Sequence, residues 1–333
     1  ACRKKGGMNR YINSIYVGTL LLVFNSPWMS CPVRSVFTVF QQLRKREIPE
    51  LNRPSVCVRD RGRVETIINN MQKEGPHTLQ VISDFDMTLT RFAHNGIRCP
   101  TTHNILDNST LISAECQAKM SKLFDHYYPI EINSSMSAEE KVPHMEEWWT
   151  QAHDLLVQQQ IRKDQLSQAV RDSGAMLREG YKSFFDVLQQ NSVPLLIFSA
   201  GVGDVLEEVI RAHAVFHSNV RIFSNYMDYD QHGVVCAFKG ELIHSFNKRE
   251  GALQNTHQFV RGRSNVLLLG DMLGDVDMSE GVQDLQNILR IGYLNDKEQD
   301  SMDAYVSAYD IVLVKDETLD VPNAILNYIT TPK

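Results

Sequence analysis

Leu79-Gln80-Val81-Ile82-Ser83 runs directly into Asp84-Phe85-Asp86-Met87-Thr88. The first half has the apolar content of a buried strand, and the second half sets two carboxylates and a hydroxyl at its carboxyl end. Side chains two apart in an extended segment project to the same side, so Asp84 and Asp86 emerge together. In an open α/β sheet, ligands bind in the crevice beyond the carboxyl ends of the strands. A magnesium ion shared by the two acids suits that place. Taken alone, an Asp-x-Asp pair also caps helices, closes turns or faces solvent.

Two further apolar runs end in the same way. Val193-Pro194-Leu195-Leu196-Ile197-Phe198 delivers Ser199-Ala200-Gly201, and Asn265-Val266-Leu267-Leu268-Leu269 delivers Gly270-Asp271-Met272-Leu273-Gly274-Asp275, with Lys248 between them. Packing explains the apolar runs and leaves their polar ends unexplained. Through these segments the chain resembles the haloacid dehalogenase superfamily of phosphohydrolases. More narrowly, Asp84 to Phe92, Phe198 to Ile210, Phe238 to Lys248 and Leu268 to Val282 resemble the cytosolic type III 5′-nucleotidases. The resemblance extends from about Ile48 to the C-terminus. It implies an α/β fold, a doubly wound parallel sheet of the haloacid dehalogenase type, with an inserted helical cap domain.

The pattern along the chain is consistent with that division. Val64, Ile67, Ile68 and Met71 fall at helical spacing within Arg61 to Gln72. From Ser113 to about Asp172 helix follows helix, one opened at Leu111 to Cys116 and another by the capping box Ser137-Ala138-Glu139-Glu140, with a short β-like stretch at Tyr127 to Ile132. From Gly180 strand and helix alternate: helix Tyr181 to Gln190, strand Leu195 to Phe198, helix Gly203 to His213, strand Val220 to Phe223, then strands Val266 to Leu269 and Ile311 to Val314. Such alternation predicts a parallel sheet with helices on both faces. The expected division is a poorly ordered leader at 1–45, a core from 46–92 and 180–333, and a cap at 93–179. In the resembled family a cap at this point closes over the site and excludes water.

A chain of 333 residues with 43% hydrophobic content can bury one sizeable domain and a smaller insert. The net charge of -6, with dispersed lysines and arginines, argues against a nucleic-acid partner. The six cysteines show no C-x-x-C pair and no metal-ligand spacing, so they read as reduced thiols of a cytoplasmic protein. The eleven histidines form no zinc-like cluster. Arg3, Lys4, Lys5 and Arg10 precede the run Tyr11 to Phe24, which has the outline of a signal or anchor. The run is shorter than the about 20 apolar residues of a spanning helix and contains Asn13 and Ser14, so no stable membrane association is expected. The chain begins at Ala1 rather than at methionine, so this leader reads as a partial or misassigned start. With no heptad or apolar stripe outside the cap, a monomer is expected.

The resemblance implies a role for each polar residue. Asp84 is the expected nucleophile, forming an aspartyl-phosphate that splits one hard step into two. Asp86 is the expected general acid and base, and its backbone carbonyl a magnesium ligand. The position two after the nucleophile is threonine in related transport ATPases, whose phosphoenzyme persists, so Asp86 predicts rapid dephosphorylation. Ser199 and the Ala200 amide would donate to phosphate oxygens near the start of the next helix, although a serine there can be a plain helix cap. Lys248 would neutralise the phosphate, although a lone loop lysine is ordinarily solvated. Asp271 would complete the magnesium shell, with Asp275 bonding a metal-bound water or holding Lys248. This acidic pair could instead cap a helix.

The substrate reading rests on fewer residues. Glu131 matches the position at which the resembled nucleotidases set an acid against the base edge, where a carboxylate accepts from an exocyclic amine. From the residues alone it reads as an exposed glutamate. In Trp148-Trp149 the second position is tyrosine in the pyrimidine-preferring branch, which also has serine at the position of Ala152. An indole suits the delocalised charge of 7-methylguanine by cation–π stacking. The chain therefore resembles the 7-methylguanosine-phosphate-specific branch, implying magnesium-dependent hydrolysis of 7-methyl-GMP, also CMP and UMP. A pyrimidine-preferring enzyme with phosphotransferase side activity, a phosphatase for another small metabolite such as phosphoserine, and a non-catalytic nucleotide-binding module are the alternatives. The last would be expected to lack one of Asp84, Asp86, Lys248 or Asp271, and all are present.

Overall fold

Leu79–Asp84, the stretch read above as a buried strand, is the central strand β2 of an eight-stranded sheet, and every one of its residues is buried. A strand covered on both faces reads as a near-continuous apolar run, which is why it was visible in sequence. This description comes from a computed structural model and concerns residues 47–133, 135–248 and 258–331. The expected leader at 1–45 lies outside the described residues. Ile48–Lys333 constitutes one compact unit.

The chain enters the sheet at β1 (Val56–Val58), crosses α1 (Arg61–Glu74) and forms β2. Asp60 caps α1 by accepting from the Arg63 amide, and Val64, Ile67, Ile68 and Met71 are its buried face, at the spacing read in sequence. After β2 come a small hairpin, β3 (Ala93–His94) and β4 (Ile97–Arg98), and then the helices α2 (Thr102–Asp107), α3 (Ala114–Glu131), α4 (Ala138–Gln158) and α5 (Leu166–Asp172). The core resumes with α6 (Tyr181–Gln190), β5 (Leu195–Val202), α7 (Gly203–Ala212), β6 (Val220–Tyr229), β7 (Val235–Lys239), β8 (Asn265–Gly270), β9 (Asn287–Leu294), α8 (Glu298–Ala308), β10 (Ile311–Val314) and α9 (Asp320–Thr330).

The sheet order is β1-β10-β9-β8-β2-β5-β6-β7. Strands β10 through β6 run parallel, while β1 and β7 are antiparallel edges. The winding reverses at β2, which has β5 on one side and β8 on the other. That reversal opens the crevice in which α/β sheets bind ligands, and the three strands whose polar ends stood out in sequence are the three that border it.

Three expectations need amendment. The strand expected at Val220 to Phe223 runs on to Tyr229. Tyr127 to Ile132 is not extended, since α3 continues to Glu131 with Pro129 inside it. Cys116, Met120, Tyr127 and Glu131 are the buried residues of α3, at helical spacing, and Tyr127 stacks at 5.9 Å on Trp148 of α4. A proline removes one backbone donor from a helix, and packing against α4 outweighs that cost. The strand expected to stop at Phe198 continues through Ser199, Ala200 and Gly201 to Val202. The capping box at Ser137 is as expected, and Ser113 caps α3 by accepting from the Cys116 amide at 3.3 Å. Among the described residues no helix is long and apolar enough to cross a membrane. The described cysteines Cys57, Cys99, Cys116 and Cys236 are free thiols.

Candidate active site

The end of β2 places Asp84 in the crevice with 4% of its surface exposed. Lys248 Nζ approaches it to 2.5 Å at Oδ1 and at the same time lies 3.0 Å from Asp275 Oδ1. All three side chains are buried. Asp275 follows β8 within a 3-10 turn, and its Oδ2 accepts from the amides of Asp271 (3.1 Å) and Met272 (2.9 Å). Gly270 makes this fold-back possible, because a Cβ there would lie 2.5 Å from the Asp275 Cβ. Asp271 is oriented from the other side by Thr88 Oγ1 (3.4 Å to Oδ1) and Asn295 Nδ2 (3.5 Å to Oδ2).

Oxygens of Asp84, Asp271 and Asp275 lie within 4.8 Å of one another. Burial pushes the Asp84 carboxyl upward, and Asp275 adds to this while Lys248 opposes it. Burial likewise raises Asp271, reinforced by repulsion from Asp84 and Asp275. Burial works against a charge on Lys248, yet Asp275 and Asp84 together hold its ammonium above the ordinary lysine range. Three acids around one lysine leave excess negative charge in a buried, oxygen-lined place. Hard divalent cations are bound by such donors, so the residues fit a metal ion.

Asp86 faces a different neighbour. Its Oδ1 accepts from the Thr102 amide at 2.9 Å and its Oδ2 from the Thr102 hydroxyl at 2.7 Å, both at the N-terminus of α2. Burial lifts its pKa to about 6 and the two Thr102 bonds oppose the rise. Gly201 gives Thr102 room, since a Cβ there would stand 1.9 Å from Thr102 Oγ1. Ser199 Oγ accepts from the Gly201 amide at 3.0 Å, and the Ala200 carbonyl accepts from Asn225 Nδ2 at 2.8 Å.

Arg178, fully buried, holds the turn after β2. Its Nε donates to the Thr88 carbonyl at 2.7 Å and its Nη2 to the Met87 carbonyl at 2.5 Å and to Asn295 Oδ1 at 2.8 Å. The guanidinium also stacks 4.0 Å over the Tyr293 ring. Met87 is in the left-handed region at φ 64, a conformation that costs energy for a side chain with a Cβ, and Arg178 and Asn295 both grip its carbonyl.

Glu131 and Trp149 belong to the helical block. Glu131 is buried at the end of α3, where its Oε1 accepts from Ser245 Oγ, and burial raises its pKa against the opposing Lys248 and Lys141. Trp149 on α4 is half-buried, nearly parallel to Trp148 at 5.1 Å and tilted against His103 at 4.5 Å. Its Nε1 has no partner among the described residues.

Asp84, Lys248, Asp271 and Asp275 are thus brought into one cluster, with Asp86 two residues after Asp84 and Ser199 on the adjacent strand. Sequence reasoning missed Thr102, Arg178, Asn295 and Ser245. Asn295 follows β9 much as Asp84 ends β2, so the rule of polar residues at strand ends would have found it had β9 been recognised. Arg178 carries no local signal.

A family model described as pyrimidine 5′-nucleotidase (UMPH-1) matches residues 87–330. The chain is 54% identical over 285 residues to the 7-methylguanosine phosphate-specific 5′-nucleotidase of Homo sapiens, spanning 85% of this chain and 95% of that one. It is 35% identical over 292 residues to the protein of the same name from Drosophila melanogaster, spanning 86% and 91%. Its structure is similar to that of cytosolic 5′-nucleotidase IIIB bound to cytidine, with a TM-score of 0.78, 34% identity and coverage of 86% and 97%.

Proposed function

This chain belongs to the UMPH-1 pyrimidine 5′-nucleotidase family of haloacid dehalogenase-like phosphoric monoester hydrolases, and from that premise we propose that it hydrolyses 7-methyl-GMP, and also CMP and UMP, through an aspartyl-phosphate. The observation that carries this reading is the buried cluster of Asp84, Lys248, Asp275 and Asp271 at the reversal point of the sheet.

An Asp84 carboxylate oxygen attacks phosphorus and the bond to the nucleoside 5′-oxygen breaks. Asp86, raised to about 6 by burial, gives that oxygen its proton, then takes one from the water that attacks the acyl-phosphate, which releases phosphate and restores Asp84. Lys248 offsets charge on the phosphoryl oxygens, while Asp275 holds the ammonium in place. Ser199 and the Ala200 amide are the proposed donors to the phosphate. Asp84, Asp271 and the Asp86 carbonyl would hold magnesium, with Asp275 beside them; a bound magnesium ion supplies further charge neutralisation.

The helical block at 93–179 acts as a cap in this reading. Glu131 meets the base edge, and Trp149 stacks on the base once His103, now against it, gives way. The 7-methylguanosine names of the relatives support the first substrate, and the cytidine in the solved relative favours CMP as a second. We assign the reaction to a monomer in the cytosol.

Phosphate release from 7-methyl-GMP, CMP, GMP and phosphoserine, with and without magnesium, on the intact chain and on Asp84→Asn tests this. Magnesium-dependent release that favours 7-methyl-GMP, tolerates CMP and disappears in the variant is expected. Turnover of CMP alone would overturn the first substrate, and turnover of phosphoserine alone would overturn the nucleotidase reading.

A further inference from the structure

Glu131 closes α3, and its carboxylate reaches the loop that follows β7. There Ser245 Oγ donates to Glu131 Oε1. From α4, Lys141 Nζ donates to the Glu131 main-chain oxygen at 2.9 Å and stands 5.1 Å from the centre of the Phe246 ring. Glu131, Lys141 and Ser245 are 9%, 8% and 7% exposed, so solvent does not compete strongly for these bonds. An unheld glutamate at a helix end turns freely about its side-chain torsions, whereas one fixed at a carboxylate oxygen and at its own carbonyl presents its remaining lone pairs in one direction. Among the described residues, none donates to the second carboxylate oxygen, Oε2.

Ser245 adds a second connection, because it lies on the same loop as Lys248, three residues before it. The segment that sets the lysine against Asp84 therefore also sets the orientation of Glu131. Burying a carboxylate is costly unless it is hydrogen-bonded, and the Ser245 bond meets part of that cost while leaving Oε2 unused.

We propose that Ser245 is a positioning residue for base selection: its hydroxyl fixes the Glu131 carboxylate so that the remaining acceptor capacity meets the exocyclic amine of a nucleobase. This rests on the nucleotidase reading, in which Glu131 faces the base. Ser245 acts through Glu131 and touches neither phosphate nor ribose.

The test compares kcat/KM for 7-methyl-GMP, CMP and ribose 5-phosphate, which has no base, on the full chain and on Ser245→Ala, Ser245→Cys and Ser245→Thr. A bond to a charged acceptor is worth enough for about a tenfold effect. The preference for either nucleotide over ribose 5-phosphate should fall about tenfold in Ser245→Ala and in the near-isosteric Ser245→Cys, and recover in Ser245→Thr, which keeps the hydroxyl. In a Glu131→Ala background, removing the hydroxyl should change the ratio no further. An equal loss on all three substrates would mean that Ser245 only supports the Lys248 loop, and an unchanged ratio would mean that it does not orient Glu131. Either result overturns the proposal while the nucleotidase reading stands. If the unaltered chain prefers neither nucleotide over ribose 5-phosphate, the nucleotidase reading itself falls and takes this inference with it.

Discussion

Gly201→Ala asks whether Asp86 is held where the structure puts it. The backbone at Gly201 lies outside the left-handed region, so alanine introduces no torsional strain there. The problem is space, because the new Cβ would be 1.9 Å from Thr102 Oγ1, 3.0 Å from Asp86 Oδ2 and 3.1 Å from Ser199 Oγ. To restore van der Waals separation the Thr102 hydroxyl must withdraw by about 1 Å or more, which breaks its 2.7 Å bond to Asp86 Oδ2 and loosens the 3.3 Å bond it accepts from the Val202 amide. A hydrogen bond to a charged group contributes about 1.5–3 kcal/mol, so stability should fall by roughly 2–3 kcal/mol. A misplacement of about 1 Å at a reacting group costs on the order of a hundredfold in rate. Thermal unfolding and nucleotide kcat/KM on the same preparations measure both. Thr102→Ala supplies the control, because it removes the clashing atom. In that background Gly201→Ala should cost less than about 1 kcal/mol, while activity stays low because the hydroxyl is still missing. A Gly201→Ala protein that melts and turns over like the unaltered chain would refute the placement of Thr102 against Asp86.

Lys248→Met leaves Asp84 and Asp275 buried without their cation, and breaking a buried pair costs about 3–5 kcal/mol. Unfolding followed with and without millimolar magnesium should show this loss, partly reversed by the metal, alongside lost turnover. Chelator-treated protein should melt lower than protein with magnesium, as expected when a ligand binds only the folded state. Asp271→Asn should abolish that shift; an equal shift in the variant would remove Asp271 from the metal site. His153 packs at 3.7 Å on Phe238, and burial lowers its pKa to about 4. Its folded pKa lies below the unfolded value of about 6.5. Its contribution is therefore complete above pH ~6.5 and is lost as pH falls towards ~4, by about 2 kcal/mol at pH 5. Asp86 and Asp107, both raised to about 6, act in the opposite sense between about pH 4 and 6. Urea unfolding at pH 7 and 5 should therefore show a smaller acid loss in His153→Phe than in the unaltered chain, and equal slopes would disprove the assignment.

How much was legible follows from what each element has to satisfy. Strands β2, β5 and β8 are covered on both faces, so their apolar runs are continuous and their polar ends conspicuous. Strand β9 has the same central position, but Arg290 and Gly292 interrupt its run, and it went unrecognised. The edge strands β1 and β7 are short or largely exposed, which leaves them without a strong pattern. The stretch Tyr127 to Ile132 has the aromatic and β-branched content of a strand, yet Tyr127 and Glu131 are buried four apart against α4. A composition that favours strand was overruled by a face that favours helix.

At the site the division is between residues that would meet a ligand and residues that hold them. Asp84, Asp86 and Asp271 stand at strand ends, where an unexplained carboxylate is visible without any knowledge of the fold. Their supports have no such local mark, because each acts across a large separation in sequence. Arg178 reaches back to Met87 and Thr88 where the chain returning from the helices pairs with the chain that left β2, as its own amide donates to the Leu89 carbonyl. Thr102 reaches Asp86 only because Gly201, on another strand, has no side chain. A buried arginine with its donors spent on carbonyls is costly to disturb, and two of those carbonyls, Met87 and Thr88, belong to the turn that carries Asp86 and follows Asp84. Besides the backbone pairing of the returning chain, Arg178 behind the turn and Thr102 in front of it tie the turn after β2 to the rest of the chain. Any movement of the helical block that draws Thr102 away must free the Asp86 carboxylate, while Arg178 keeps its hold on the Met87 and Thr88 carbonyls.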